Sequence, residues 1–523
     1  MRCYRRLATE RRVDPDELAA ALAADLSPHQ FATLAFRLCR ASHDYDALVA
    51  RELGRAGEAA PYLARLFPAL HSSGDVDERL LEILLRTGRA EHLRREALTH
   101  LVTGIVHDTI PVPLQALWLT KVFEDGLHPD DVDELTLLMR DSGAIYDYRG
   151  HPELDRRRIL RRYPTGALSE KTALILPSLL SAFREHPIAS PFLVARSLGY
   201  TGGTWDKLRA IPGFTFLAHG NEAIDAMRRC GVSMTVTHDD VDPADRKLYQ
   251  LRSMTGTVES PELIIASIGS KQLAIPADFL LLDVRFGAGA FLETEQMARD
   301  VAGRIVTLLM RHGIPTETMF TDTPQPNGMS VGNALEVLEA IAVMGGPSGI
   351  AWDRRALKEQ RELVIAFFER LMQHEVGESA IGSWARLARQ KFASGDVFRA
   401  FLDVLRVHRV PGSVAESIAL NPDEILVPRG PASAVRAIAS GVVCAIDQHR
   451  LGYAVNVGLG GGGNDYGGEF NALAGLQLTK RLGDCVTNGE PLCWIYGAAD
   501  AAPVAAEVLA SLIIDHSRAP TGA

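Results

Sequence analysis

The residues able to do chemistry concentrate between Arg162 and Lys271. GYTGGTWDKL (199–208) sets small residues and hydroxyls in a tight loop that ends at Thr204. Such a loop lets backbone N–H groups approach an anion closely, although the same wording also serves an ordinary turn. Farther on, SPELIIASIGSKQLA (260–274) has the pattern of a mostly apolar helix. Ser267 and Lys271 stand four apart in it and share one face. A hydroxyl and an ammonium on such a helix can point together into a cleft. Arg252 lies nineteen residues before Lys271. Two cations at that separation are commonly surface charges. In a cleft they would hydrogen-bond carbonyl oxygens of a ring and stabilise negative charge on a departing group. Upstream, RYPTGALSEK (162–171) offers Arg162, Tyr163 and Thr165, and Arg196 precedes the glycine loop. Ser169 and Glu170 open the helix that follows. They read either as helix caps or, for Glu170, as a group that orients a sugar hydroxyl or water.

These residues need rigid elements to hold them. VDPDELAAALAADL (13–26), LSPHQFATLAFRLCRA (26–41) and DVDERLLEILLRTG (75–88) predict helices, the last closed by Gly88. Residues 110–143 predict two or three amphipathic helices, with Gly126 and Pro129 between them. From about 158 the pattern changes to short apolar runs alternating with helices. Residues 172–183 predict a buried helix, and 231–238, 279–286 and 314–322 predict strands. Helices are expected over 329–346 and 353–376, and further short strands over 424–430, 441–448, 453–460 and 490–497. Strands separated by helices of this length imply βαβ units and an α/β sheet.

The chain has 523 residues, 47% of them hydrophobic, which is enough for two or more domains. Its net charge of −10 leaves no basic footprint for nucleic acid. Six scattered cysteines form no CxxC pair and suggest neither zinc nor a disulfide framework. NVGLGGGGNDYGG (456–468) lacks the Lys-Ser/Thr and the strand–helix context of a phosphate loop and reads as a glycine-rich loop. No signal peptide and no membrane span are read, so a cytoplasmic location is expected. No metal and no cofactor are expected.

The wording of 197–214 and 243–274 resembles the thymidine and pyrimidine nucleoside phosphorylases, and DVRFGAGAF (283–291) and Leu482-Gly483-Asp484 extend the resemblance. It covers about 95–523 and is strongest over 197–345. It implies an α/β fold: a small all-helical domain, and a large α/β domain with a mixed sheet and an α+β C-terminal segment. The expected boundaries are a helical N-terminal extension at 1–94 and a helical domain at 95–157 joined by about 244–275. The α/β domain is expected at 158–243 and 276–351, with its C-terminal segment at 352–523. The resemblance also implies a homodimer, with the ligand cleft between the two domains.

In the family, the residues matching Arg252, Ser267 and Lys271 hold the base, and the residue matching Thr204 contacts phosphate. The family's phosphate loop, K-H-S-T-G-G-V-G-D-K, is rewritten here. Its Lys is replaced by Arg162, its His by Tyr163 and its Ser by Pro164. Two further hydroxyl positions hold Ala173 and Val194. The expected reaction is phosphate attack on a pyrimidine nucleoside. Arg252 and Lys271 would stabilise the base, Ser267 would orient it, and Tyr163 would line the sugar. Arg162, Thr165, Thr204 and Arg196 would hold phosphate, a possible co-substrate. The lost donors leave two alternatives: another nucleophile or acceptor on the same fold (hydrolysis, base exchange or nucleoside tailoring), or a non-catalytic protein that binds a nucleoside or base.

Overall fold

The computed structural model describes residues 78–518 apart from 91, 238–239, 377–382, 429–431 and 463–469. The helices expected over 13–26 and 26–41 lie outside the described residues. The chain divides into two compact units, Met1–Ser142 with Ala244–Ala266, and Gly143–Pro243 with Ser267–Ala523.

The described residues of the first unit up to Ser142 are helical, with α1 (Glu78–Arg86), α2 (Arg95–Val106), α3 (Val112–Asp125) and α4 (Pro129–Asp141). Gly126 ends α3 at φ 75°, and Pro129 starts α4, as a left-handed stop and a proline start should. Leu98, Leu101 and Ile105 on α2, Trp118 and Val122 on α3, and Val132 and Leu135 on α4 are buried. Their three- and four-residue spacing is the reason these segments are helices with one apolar face.

The second unit begins at Gly143, so residues 143–157 belong to it rather than to the helical domain. The Tyr146 N–H donates to the Ala274 carbonyl at 2.8 Å, and Tyr148 packs in a cluster with Leu154, Ile159 and Ala189. The chain then runs through β1 (Arg158–Pro164), α5 (Thr172–Ser181), β2 (Ile188–Val194), α6 (Thr204–Arg209), α7 (Asn221–Cys230) and β3 (Val232–Val236). It crosses the first unit as α8 (Pro243–Thr255). The unit boundary falls inside the next helix, α9 (Pro261–Ala274), and β4 (Phe279–Phe286), α10 (Glu295–Arg311) and β5 (Thr316–Asp322) follow.

These five strands form one sheet in the order β3-β2-β1-β4-β5, every pair parallel. Both faces are covered, which explains the unbroken burial of IASPFLV and VSMTV. The order reverses between β1 and β4, the topological switch point at which open α/β sheets bind ligands beyond the strand C-termini. On one face, α5, α11 (Asn333–Val343), α12 (Arg354–Val376), α13 (Ser383–Ala393) and α14 (Asp396–Val407) build a large core around Phe367, Phe368 and Trp384. Leu160 of β1 faces this core and Ile159 faces the opposite one, so alternation along β1 sends Arg162 toward Phe367 and Tyr163 the other way.

Two further sheets are antiparallel. One is β6-β9-β11-β7 (Ser330–Val331, Gly475–Leu478, Pro491–Tyr496, Ser433–Arg436). The other is β10-β8-β12 (Cys485–Val486, Gly441–Ile446, Leu512–Asp515).

Two expected strands are helical instead. Of the strand expected over 424–430, the described part begins as a short helix, Asp423–Leu426, started by Pro422. Over 453–460 it continues a helix that begins at Gln448, because the Asp447 carboxylate caps the Arg450 N–H at 3.0 Å. The turn then widens through Ala454–Gly458, whose alternating valines imitate a strand. The helix expected from 329 starts at Asn333, since Ser330 and Val331 pair with β9.

Phe367 is fully buried and lies beneath two guanidinium groups. Phe367→Ala should destabilise the second unit by about 3–5 kcal/mol, seen as a lower denaturation midpoint. An unchanged midpoint would show that Phe367 does not anchor this core.

Candidate active site

The loop after β1 is fixed first by its backbone. Gly166 adopts φ 106°, and a Cβ there would meet the Phe291 ring at 2.7 Å. Leu168 N–H donates to the Gly289 carbonyl at 2.8 Å, and Ala167 bridges Ala290. The Thr165 hydroxyl accepts the Arg285 N–H at 2.8 Å. Thr165, expected at the anion, is therefore a latch between β1 and β4, and its hydroxyl is committed to the main chain.

Charges fill the space behind this loop. Arg162 ion-pairs with the Asp283 carboxylate, donates to the Thr172 hydroxyl at 2.7 Å, and lies 3.4 Å from Glu170 Oε2. Arg285 is 2.7 Å from Asp283 and 2.8 Å from Glu170. Both guanidinium groups lie over Phe367, and all four charged side chains are buried. Burial alone would raise the Glu170 carboxyl pKa, but Arg285 and Arg162, with the Thr172 hydroxyl and Lys207, hold it well below the usual carboxylate range. Burial likewise opposes the Arg285 charge, and Asp283 and Glu170 more than restore it.

Two buried lysines continue the pattern. Lys171 Nζ is 3.2 Å from Glu339, and Lys207 Nζ is 2.9 Å from Glu336, one α11 turn away. Glu339 also accepts the Met329 and Ser330 N–H groups, at 2.9 Å each. Each of these four cations thus faces a protein carboxylate. Arg162, expected to hold phosphate, is neutralised by Asp283 and Glu170. Glu170 also caps α5, its Oε1 accepting the Ala173 N–H at 3.2 Å, and it is buried. Tyr163, expected beside the sugar, is buried on the opposite face of β1 from Arg162.

The loop after β2 is built differently. The Asp206 carboxylate accepts the Ser197 N–H at 2.6 Å, and Leu198 and Thr201 exchange main-chain hydrogen bonds. Asn456 Nδ2 donates to the Gly199 carbonyl at 3.0 Å. A Cβ at Gly203 would overlap the Arg196 carbonyl carbon, so only glycine fits where the loop doubles back. Thr204 then opens α6, half-buried, and Arg196 lies exposed over the Trp205 ring at 4.4 Å. Arg196 and Thr204 therefore share one loop, and Lys207, on the helix that Thr204 opens, ties it to the cluster by donating to the Glu170 carbonyl at 2.7 Å.

On α9, Lys271 Nζ donates to Ser267 Oγ at 2.6 Å, and both residues are buried. The four-residue spacing does place them on one face. In the first unit, Arg252 donates to the Leu263 carbonyl at 3.2 Å and the Val258 carbonyl at 2.5 Å. Burial lowers its pKa to about 10, with Asp245 and Tyr249 opposing. Its two Nη groups brace the turn between α8 and α9.

The sequence pattern alone missed Asp283, Arg285, Lys207, Glu336 and Glu339. For four of them the signal was present as charges within apolar runs: Asp283 and Arg285 in FLLLDVRF of β4, and Glu336 and Glu339 in NALEVLEAIAV of α11. An ionisable residue in a doubly covered strand requires a partner.

The five-stranded parallel sheet, with helices against it and a topological switch point between β1 and β4, defines a fold of the α/β class. Residues 442–514 match the pyrimidine nucleoside phosphorylase C-terminal domain. The chain is 31% identical over 419 residues to pyrimidine-nucleoside phosphorylase of Bacillus subtilis, covering 80% of this chain and 92% of that protein. It is also 31% identical to thymidine phosphorylase of Sinorhizobium fredii, covering 80% of this chain and 91% of the relative. Among solved structures, anthranilate phosphoribosyltransferase from Thermus thermophilus aligns over 63% of this chain and 99% of its own, with TM-score 0.46 and 15% identity. The chain belongs to the pyrimidine-nucleoside phosphorylase family.

Glu170 supplies a pH test. A carboxyl with a depressed native pKa contributes stability that is present above its unfolded value, 4.5, and fades as pH falls below it. Glu170→Gln leaves two buried guanidinium groups with one carboxylate and should cost about 3–5 kcal/mol at pH 7. The gap to the unsubstituted protein should narrow below pH 4.5 in denaturant titrations. A pH-independent gap would rule out the ionised carboxylate as its source.

Proposed function

We propose that this protein is a pyrimidine nucleoside pentosyltransferase that cleaves or forms the N-glycosidic bond with phosphate as nucleophile. The observation that carries the reading is the buried Lys271–Ser267 pair, at 2.6 Å, in a chain 31% identical to a pyrimidine-nucleoside phosphorylase. As the bond from the sugar C1′ to the base nitrogen breaks, its electron pair moves onto the base and charge builds on the ring oxygens. The Lys271 ammonium neutralises that charge, and the Ser267 hydroxyl, held by Lys271, fixes the ring's orientation. A phosphate oxygen attacks C1′ and forms the sugar 1-phosphate. Arg252, with both Nη groups on main-chain carbonyls, is given no part in reading the base here. Phosphate is assigned to the loop after β2, through Thr204, the adjacent amides and Arg196, and not to Arg162.

One observation favours a second reading. Arg162 and Arg285 face Asp283 and Glu170 charge for charge, so this cluster offers no excess positive charge to an anion. An enzyme of the same fold that uses water or another acceptor would need none.

Product analysis by mass spectrometry separates the readings. Thymidine, uridine and deoxyuridine are incubated with the protein, with and without phosphate. Phosphate-dependent release of base together with pentose 1-phosphate is the expected result. Release without phosphate would establish the second reading, and no release from any nucleoside would sink both. Lys271→Ala should lower kcat/KM by about 100- to 1,000-fold, the usual cost of one charge-stabilising donor. A fall of less than tenfold would remove Lys271 from the proposal.

A further inference from the structure

We propose that His92, His128 and Asp131, in the helical unit, form a site for a divalent transition ion of the Zn2+ class. His92 lies just before α2, and His128 and Asp131 flank the start of α4. One ligand atom from each residue lies within 4.8 Å of the others. The two imidazole rings stand 5.3 Å apart, tilted at 40°. Between them the Asp131 carboxylate is fully buried, an unusual setting for a charge unless a cation or several donors compensate it.

The surrounding contacts orient each ligand. Asp131 Oδ2 accepts the Leu93 N–H at 2.9 Å, which turns Oδ1 toward His92 Nδ1, with which it makes a close contact. His128 Nδ1 caps α4 by accepting the Asp130 N–H at 3.3 Å, which leaves Nε2 as its ligand atom. Outer contacts of this kind fix ring orientation at metal centres. The His92 side chain is 60% exposed, so the site opens to solvent for ion entry and for a water ligand.

Two imidazoles and one carboxylate are the three-ligand set that tetrahedral zinc takes with a water in the fourth position. Imidazole nitrogen selects zinc, nickel or cobalt over magnesium and calcium, which prefer oxygen. One half-exposed imidazole beside a fully buried carboxylate leaves that charge only partly compensated. One shared ion satisfies all three groups. It would also staple the segment before α2 to the start of α4.

The test uses untagged full-length protein stripped with a chelator. Calorimetric titration with Zn2+ should give about one ion per chain, and Co2+ should give the visible absorption of a four-coordinate site. Because His92 and His128 are surface-accessible, His92→Ala/His128→Ala should keep the native circular dichroism. It should lose Zn2+ affinity by more than the roughly 10–100-fold that removing an outer-shell partner costs. If the double variant misfolds, each single substitution is put to the same comparison. No stoichiometric Zn2+ binding, or binding equally tight in the folded variants, overturns the proposal. The readout is metal binding, so it stands or falls separately from nucleoside cleavage.

Discussion

Asp283 sits in the middle of the sheet with no exposed surface, and both Arg162 and Arg285 close on it. A buried carboxylate of this kind is strongly unfavourable alone and tolerable only when its partners are held in place. Glu170 supplies the second negative charge and ties the group to the loop after β1. The loop's path, the latch through Thr165 and the stacking on Phe367 are all conditions of that balance. The neighbouring Lys171–Glu339 and Lys207–Glu336 pairs repeat the arrangement and fasten α11 to the same loops. Such a network is costly to assemble, and it specifies one geometry because each member has few alternatives.

The strand-end cluster is closed and neutral, while the loop after β2 keeps Arg196 at the surface and Thr204 beside glycine amides. Arg162 belongs to an internal salt-bridge core with Asp283, Glu170 and Arg285. Arg162 turns inward because its strand position points at Phe367, and Tyr163 turns to the opposite face for the same reason.

Much of this was legible in the sequence. The apolar runs at 231–238 and 279–286 gave strands within a few residues, and the spacing of Ser267 and Lys271 gave their shared helix face. Burial partners were not legible. Arg162 and Thr165 carry the right groups for an anion, and nothing local reveals that Asp283 and the Arg285 N–H, over a hundred residues away, take them first. Arg252 is a similar case, with its two Nη groups on carbonyls after α8. The strand expected over 453–460 failed because a single capping carboxylate, Asp447, outweighed the β-branched pattern. The pairing of β1 with both β2 and β4 is a long-range fact, and RILRRYP, with three arginines, hides its strand character.

Trp205 lies between two guanidinium groups, with Arg196 at 4.4 Å and Arg209 at 4.3 Å from its ring. Arg209 also lies 4.6 Å from the Phe470 ring. An indole held in this way senses the electric field of the loop that carries Thr204. In a variant that keeps Trp205 alone of the five tryptophans, its emission wavelength would report the charge state of that loop without any added dye. An arriving anion that draws Arg196 away from the ring would register as a spectral shift before any bond is made or broken, which makes the loop observable in real time.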